Sequence, residues 1–201
     1  MIGSVFEIQE RKYIMIQTKS FRKTMEKKGL WKAVEPLIEQ ASNADIPEKI
    51  FVELLDRTFS LKDRLAVMEE LGCCKTHQEK HKAFYNKYAD KTLKERVSLM
   101  DELDSPYKAP IRLNEDHTLS VFWAYGEENH FDCVCSCQVI RDIKKSGSSS
   151  VSSTYCACCG GHVKALLQTA LGVNLRLKEV ISSALNSNGK KGCEFLFDVI
   201  E

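Results

Sequence analysis

Apolar residues recur at three- and four-residue steps through the first half of the chain and at two-residue steps through much of the second. The first period belongs to helices with one buried face, the second to strands. In "SLKDRLAVMEELG", Ser60 and Asp63 form a capping-box variant ahead of Leu61, Leu65, Met68 and Leu71, and Gly72 supplies the stop. "TLKERVSLMDEL" repeats the plan with Thr92 and Glu95 ahead of Leu93, Val97, Met100 and Leu103. "IPEKIFVELLDRTF" starts a helix with Pro47 in its first turn, where a missing N–H is harmless. "FRKTMEKKGLWKAVEPLIEQA" reads as one helix broken near Gly29 or Pro36, and "HQEKHKAFYNKYA" as a shorter one. Residues 1 to 18 suit either a strand or a buried helix.

Beyond the turn "SPYKAP" the character changes. "TLSVFWAY", "FDCVCSCQVI", "NLRLKEVISSA" and "CEFLFDVI" have strand-like alternation or β-branched content, and "KKSGSSSVSS" has the composition of a hairpin loop. One helix, "GGHVKALLQTALG", interrupts them, with Val163, Leu166, Leu167, Ala170 and Leu171 on its buried side. The expectation is an α+β fold: a helical region over residues 1–110 and a cysteine-rich α+β domain over 111–201, packed as one compact unit.

Composition narrows the function classes. The chain has 201 residues, Lys+Arg 29 and Asp+Glu 28, for a net charge of +1. A dedicated nucleic-acid binder carries a strongly basic face, so nucleic acid is not expected as a partner. No apolar run approaches the roughly 18 residues a bilayer span needs, and the N-terminus lacks the form of a secretory leader. A cytoplasmic protein with a small-molecule ligand, no membrane partner and the option of a homodimer is the expectation. In that compartment nine cysteines are not a disulfide framework. Seven of them lie between residues 133 and 193.

Read as a strand, "CVCSC" puts Cys133, Cys135 and Cys137 on one face, either as small core residues or as a ligand-lined surface. In "YCACCGGHV", Cys156 and Cys158 would share a strand face. Cys159 would sit where the helix begins, among unpaired N–H groups that lower a thiol's pKa. There it could act as a nucleophile with His162 as base, which makes a thiol enzyme, hydrolase or redox, the alternative function. The two cysteine segments are expected to approach each other. Cys133/Cys135 with Cys156/Cys158 could bind zinc, although C-x-C is not the usual spacing. A second cluster holds Cys73, Cys74, His77 and His81; Cys73, His77 and His81 fall at four-residue steps and could share a helix face, and such residues are more often structural.

The C-terminal third resembles the vinyl-reductase-like domains, small-molecule-sensing α+β modules. The residues that carry the likeness are Cys156, Leu171-Gly172, Glu179, and Gly189 with Cys193 and Phe195. Most of the chain is also similar to a cysteine-rich bacterial family of unknown function, which implies no activity. The first resemblance implies zinc as a cofactor, held by Cys156, Glu179, the residue at 182 and Cys193. Ser182 stands where a thiolate is expected, so Cys158 or Cys159 would have to replace it.

Overall fold

The computed structural model describes residues 19–71, 78–102, 110–123, 135, 137, 151–187 and 189–200. The readings placed on residues 1–18, Gly72, Cys73, Cys74, His77, Cys133 and the Ser/Gly-rich loop over 144–150 lie outside them, as does most of "SPYKAP".

Six helices come first: α1 (Lys19–Lys27), α2 (Trp31–Ser42), α3 (Pro47–Thr58), α4 (Leu61–Met68), α5 (Glu79–Tyr88) and α6 (Leu93–Glu102). A 3-10 turn, Glu69–Leu71, ends α4. Both capping boxes form. Asp63 N donates to Ser60 Oγ at 3.2 Å, and the Thr92 N–H reaches Glu95 Oε2 at 2.7 Å. The long first segment breaks at Gly29, not at Pro36. Gly29 has φ +70°, and Leu30 N donates to Met25 O while Gly29 N donates to Glu26 O, the paired bonds of a left-handed helix stop. Pro36 lies inside α2.

The strands are β1 (Ile111–Leu113), β2 (Thr118–Trp123), β3 (Asn174–Ser182) and β4 (Cys193–Ile200), in one antiparallel sheet of order β1-β2-β4-β3. The fold is α+β. Between β2 and β3 lie a 3-10 turn, Ser153–Cys156, and the helix α7 (Ala157–Leu171). "TYCAC" is therefore helical, which corrects the strand reading. Ser152 accepts a bond from Thr154 N at 3.2 Å and starts the turn.

α7 is the axis of the molecule. Val163, Leu166, Leu167, Ala170 and Leu171 are buried, as their period predicts. One side of α7 lies on Leu177 and Phe195 of the sheet, where a Cβ at Gly160 would sit 2.8 Å from Leu177 Cδ2. Another presses on the 3-10 turn after α4, where a Cβ at Gly161 would collide with the Glu69 carbonyl. Adjacent residues of a helix point about 100° apart, so one glycine pair serves two layers. A continuous apolar core results, from Phe21 of α1 to Phe197 of β4.

Glu69 ties the layers together. It is 3% exposed, and Oε1 accepts from Lys164 Nζ of α7 at 2.9 Å and from Lys28 Nζ at 3.3 Å. Oε2 accepts from Leu177 N of β3 at 3.1 Å, and Gln168 Oε1 accepts from Leu175 N at 2.8 Å. A buried carboxylate needs such partners to remain charged.

Candidate thiol site

The seam between the start of α7 and the start of β4 gathers thiols. Cys156 caps α7 and Cys159 lies in its first turn. Three residues apart on a helix, they share a face. β4 begins at Cys193, which is buried with Phe195 and Phe197 on the sheet face toward α7. Cys135 and Cys137 reach the same place from the segment before α7. Cys156 and Cys159 each feel Cys135, Cys137 and Cys193 as charged-state neighbours. The "CVCSC" and "YCACC" segments therefore do meet, at least through Cys135 and Cys137. Trp123 of β2 is paired with Cys193 in the sheet, and its ring stands edge-on to His162 at 5.7 Å between centroids.

Burial controls the chemistry of these thiols. Burial pushes Cys156 up to about 12; the hydrogen bond with the Ser183 hydroxyl opposes it, and the neighbouring thiols Cys193, Cys135 and Cys137 add to the rise. Cys159 is raised by burial and by Cys137, Cys156, Cys135 and Cys193. Burial is the largest cause at both thiols, and its direction is opposite to the lowering expected at a helix N-terminus. Cys159 is thus a neutral thiol, which corrects the expectation of a lowered pKa and weakens its pairing with His162 as a nucleophile and base. Tyr155 is raised too, by burial and by Cys137, to which its hydroxyl is hydrogen-bonded.

The set expected for zinc is divided. Cys156 and Cys193 come together, and Cys158 and Glu179 do not join them. Cys158, on a different side of α7, donates from Sγ to Leu71 O at 3.4 Å. It borders a small apolar cavity lined by Glu48, Phe51, Val52, Met68, Leu71 and Tyr155, with room for about one water. Glu179 is exposed. Period two would put it beside Leu175 and Leu177 facing α7, but the ladder shifts between Leu177 and Glu179. Glu179 then pairs with Leu196 and so faces away from the Cys193 side. A second shift pairs Ser182 with Glu194, and Ser182 Oγ donates to Gly192 O at 2.9 Å. The hydroxyl beside Cys156 belongs to Ser183, which the sequence reading passed over. His81, from the secondary cluster, is buried on α5.

Among the described residues, no group of three or more His, Cys, Asp and Glu side chains is already gathered as a metal ion requires. The six described cysteines are free thiols. Among the described residues, no helix is long and apolar enough to cross a membrane. In comparisons with known proteins, no family model, no curated protein and no solved structure matches the chain.

Proposed function

We propose that the chain binds a thiophilic metal or metalloid ion in the seam between α7 and β4, with Cys156, Cys159 and Cys193 as the binding thiols and Cys135 and Cys137 beside them. One placement supports this reading: Cys156 and Cys159 share a face at the start of α7, buried Cys193 opens β4 on the sheet face toward α7, and Cys135 and Cys137 pack against the same core. Small core residues have no need to be sulfur, and Ala157 and Ala170 fill comparable sites in α7. Side chains with a single rotatable bond can close on an ion from the open arrangement. A reducing, cytoplasmic compartment suits the reading, because free thiols persist there. The resemblance to sensing domains adds a role: occupancy would be reported through α7, which touches every layer.

The test is protection. Reduced, metal-free protein is incubated with zinc, cadmium or sodium arsenite, alkylated, and mapped by mass spectrometry. At least one of these ions is expected to shield Cys156, Cys159 and Cys193 together. Equal alkylation of every cysteine with and without each ion would end the proposal. Fast alkylation of Cys159 alone at neutral pH would favour the thiol enzyme instead.

A further inference from the structure

We propose that α1 is a docking surface for an anionic bilayer, which it meets through a ridge of three lysines, Lys19, Lys23 and Lys27. The buried residues of α1 are Phe21 and Met25. Two residues turn a helix by about 200°, so Lys23 stands almost opposite both of them. Lys19 and Lys27 lie four residues to either side, each about 40° round the helix and about 6 Å along it from Lys23. All three are exposed. They form one line about 12 Å long on the outermost side of α1.

The ridge keeps its charge while neighbouring cations are neutralised. Arg22 Nε pairs with Glu26 at 2.9 Å, and Lys28 Nζ pairs with Glu69 at 3.3 Å and Glu70 at 3.0 Å. Among the described residues, no carboxylate lies within ion-pair distance of Lys19, Lys23 or Lys27. Like charges at four-residue steps repel, and α1 has no acidic residue in its first turn to offset Lys19. The arrangement works against the stability of the helix, so stability does not account for it. Residues 19–32 hold six cations and one carboxylate, a net +5 in a chain of +1, so the remaining residues sum to −4. Such asymmetry turns one side of the molecule toward a negative surface.

The make-up of the ridge selects the partner. A stable protein interface has an apolar centre, and the apolar residues of α1 face inward. Single-stranded nucleic acid is held by aromatic faces as well as by cations, and Trp31, next to α1 in the chain, already holds the Arg22 guanidinium at 5.0 Å from its ring centroid. An anionic bilayer asks only for cations that reach it together. Successive ridge positions, about 6 Å apart, lie inside the screening length of about 8 Å at physiological salt, so the three act as one patch. The expectation of no membrane partner rests on the lack of a span, and a surface contact needs none.

The experiment sediments the full, reduced chain with vesicles of phosphatidylcholine alone or with about 30% phosphatidylserine, at about 50 mM and about 500 mM NaCl. The expected result is binding to the phosphatidylserine vesicles only, lost at the higher salt. A lysine near an anionic surface contributes about five-fold, so the triple variant Lys19→Gln, Lys23→Gln, Lys27→Gln should bind about a hundred-fold more weakly. It should unfold in urea at or above the parent's midpoint, because repulsion within α1 is relieved. The control triple Lys80→Gln, Lys82→Gln, Lys94→Gln removes the same charge from exposed positions of α5 and α6 and should bind as the parent does. No binding to phosphatidylserine vesicles, an equal loss in both triple variants, or binding to single-stranded or duplex DNA with none to vesicles would each overturn the proposal.

Discussion

Gly161→Ala should destabilise the protein while Gly160→Ala, its neighbour, should be close to neutral. At 161 the new methyl meets backbone: it lies 2.6 Å from the Glu69 carbonyl carbon and 2.8 Å from its Cα, and overlaps the carbonyl oxygen. Carbon atoms prefer about 3.5–4.0 Å, so the turn or α7 must move by about 1 Å. The turn cannot retreat freely, because Glu69 is held by Lys28, Lys164 and Leu177 N. Overpacking of this kind costs about 1–3 kcal/mol, and a rigid neighbour puts it at the upper end. Alanine returns about 1 kcal/mol through helix propensity. The net loss is about 2 kcal/mol, or about 4–8 °C in Tm for a chain of this size. At 160 the new methyl meets only side-chain tips, Leu177 Cδ2 at 2.8 Å and Cδ1 at 3.2 Å. Leucine can turn aside for about 1 kcal/mol, which the propensity gain offsets. Urea unfolding followed by circular dichroism measures both. If Gly161→Ala unfolds at the parent's midpoint, or Gly160→Ala is the more harmful of the two, the two-sided packing of α7 is wrong.

Removing the Glu69 carboxylate leaves the Leu177 N–H without its acceptor and Lys28 and Lys164 with Glu70 alone, so Glu69→Ala should lose about 1–3 kcal/mol in denaturant unfolding; Glu69→Gln, which keeps an acceptor, should lose less. Thr154→Val deletes the 2.6 Å bond from Thr154 Oγ1 to Asp56 Oδ1 that fastens the turn before α7 to α3, and should cost about 1 kcal/mol in the same assay. Alkaline pH should weaken the metal-free fold. Cys156 and Cys159 are raised above their ordinary 9.0, so their stabilising effect is complete below pH 9 and is lost as pH rises toward the folded value, about 12 for Cys156. Between pH 8 and pH 10 each should cost about 1.4 kcal/mol, and a stability curve equally steep in the Cys156→Ser and Cys159→Ser variants would contradict this. Iodoacetamide at pH 7.5 should modify Cys159 slowly and faster as pH rises; a rapid, pH-independent rate would reverse its assignment as a neutral thiol.

Local signals in the sequence were reliable where the chemistry is local. Ser60 with Asp63, Thr92 with Glu95, and Pro47 each start the helix they announce. The alternation in "CEFLFDVI" and "NLRLKEVIS" gives β4 and β3. "YCACC" misled because alternate cysteines imitate period two, while the signal that counted, Ser152 folding back on Thr154 N, lay just ahead of it. Glu179 and Ser182 were misplaced for a different reason. The two register shifts in β3 answer to its pairing with β4, and nothing in β3's own residues marks them. Glu69 gave no warning either. It is one of a glutamate pair at a helix end, and only the docking of α1, α7 and β3 decides that it is the buried one. For the thiol seam, the sequence could name Cys156 and Cys193 as candidates but not the burial that raises Cys156 and Cys159, because that burial comes from the docking of α7 on the sheet.

The two side chains along β3 have a consequence for self-association. β3 lies at the rim of the sheet with β4 on one side only, so the N–H groups of Leu175 and Leu177 face outward, where another chain could add a strand. Gln168 and Glu69 occupy both from within the same molecule. A copy trying to extend the sheet there would have to displace the Gln168 amide at Leu175 and pull a buried carboxylate off two ammonium groups at Leu177. Polymerisation through this stretch is blocked by the same contact that fixes α7, so a variant that loosens Glu69 should be both less stable and more prone to form β-rich aggregates.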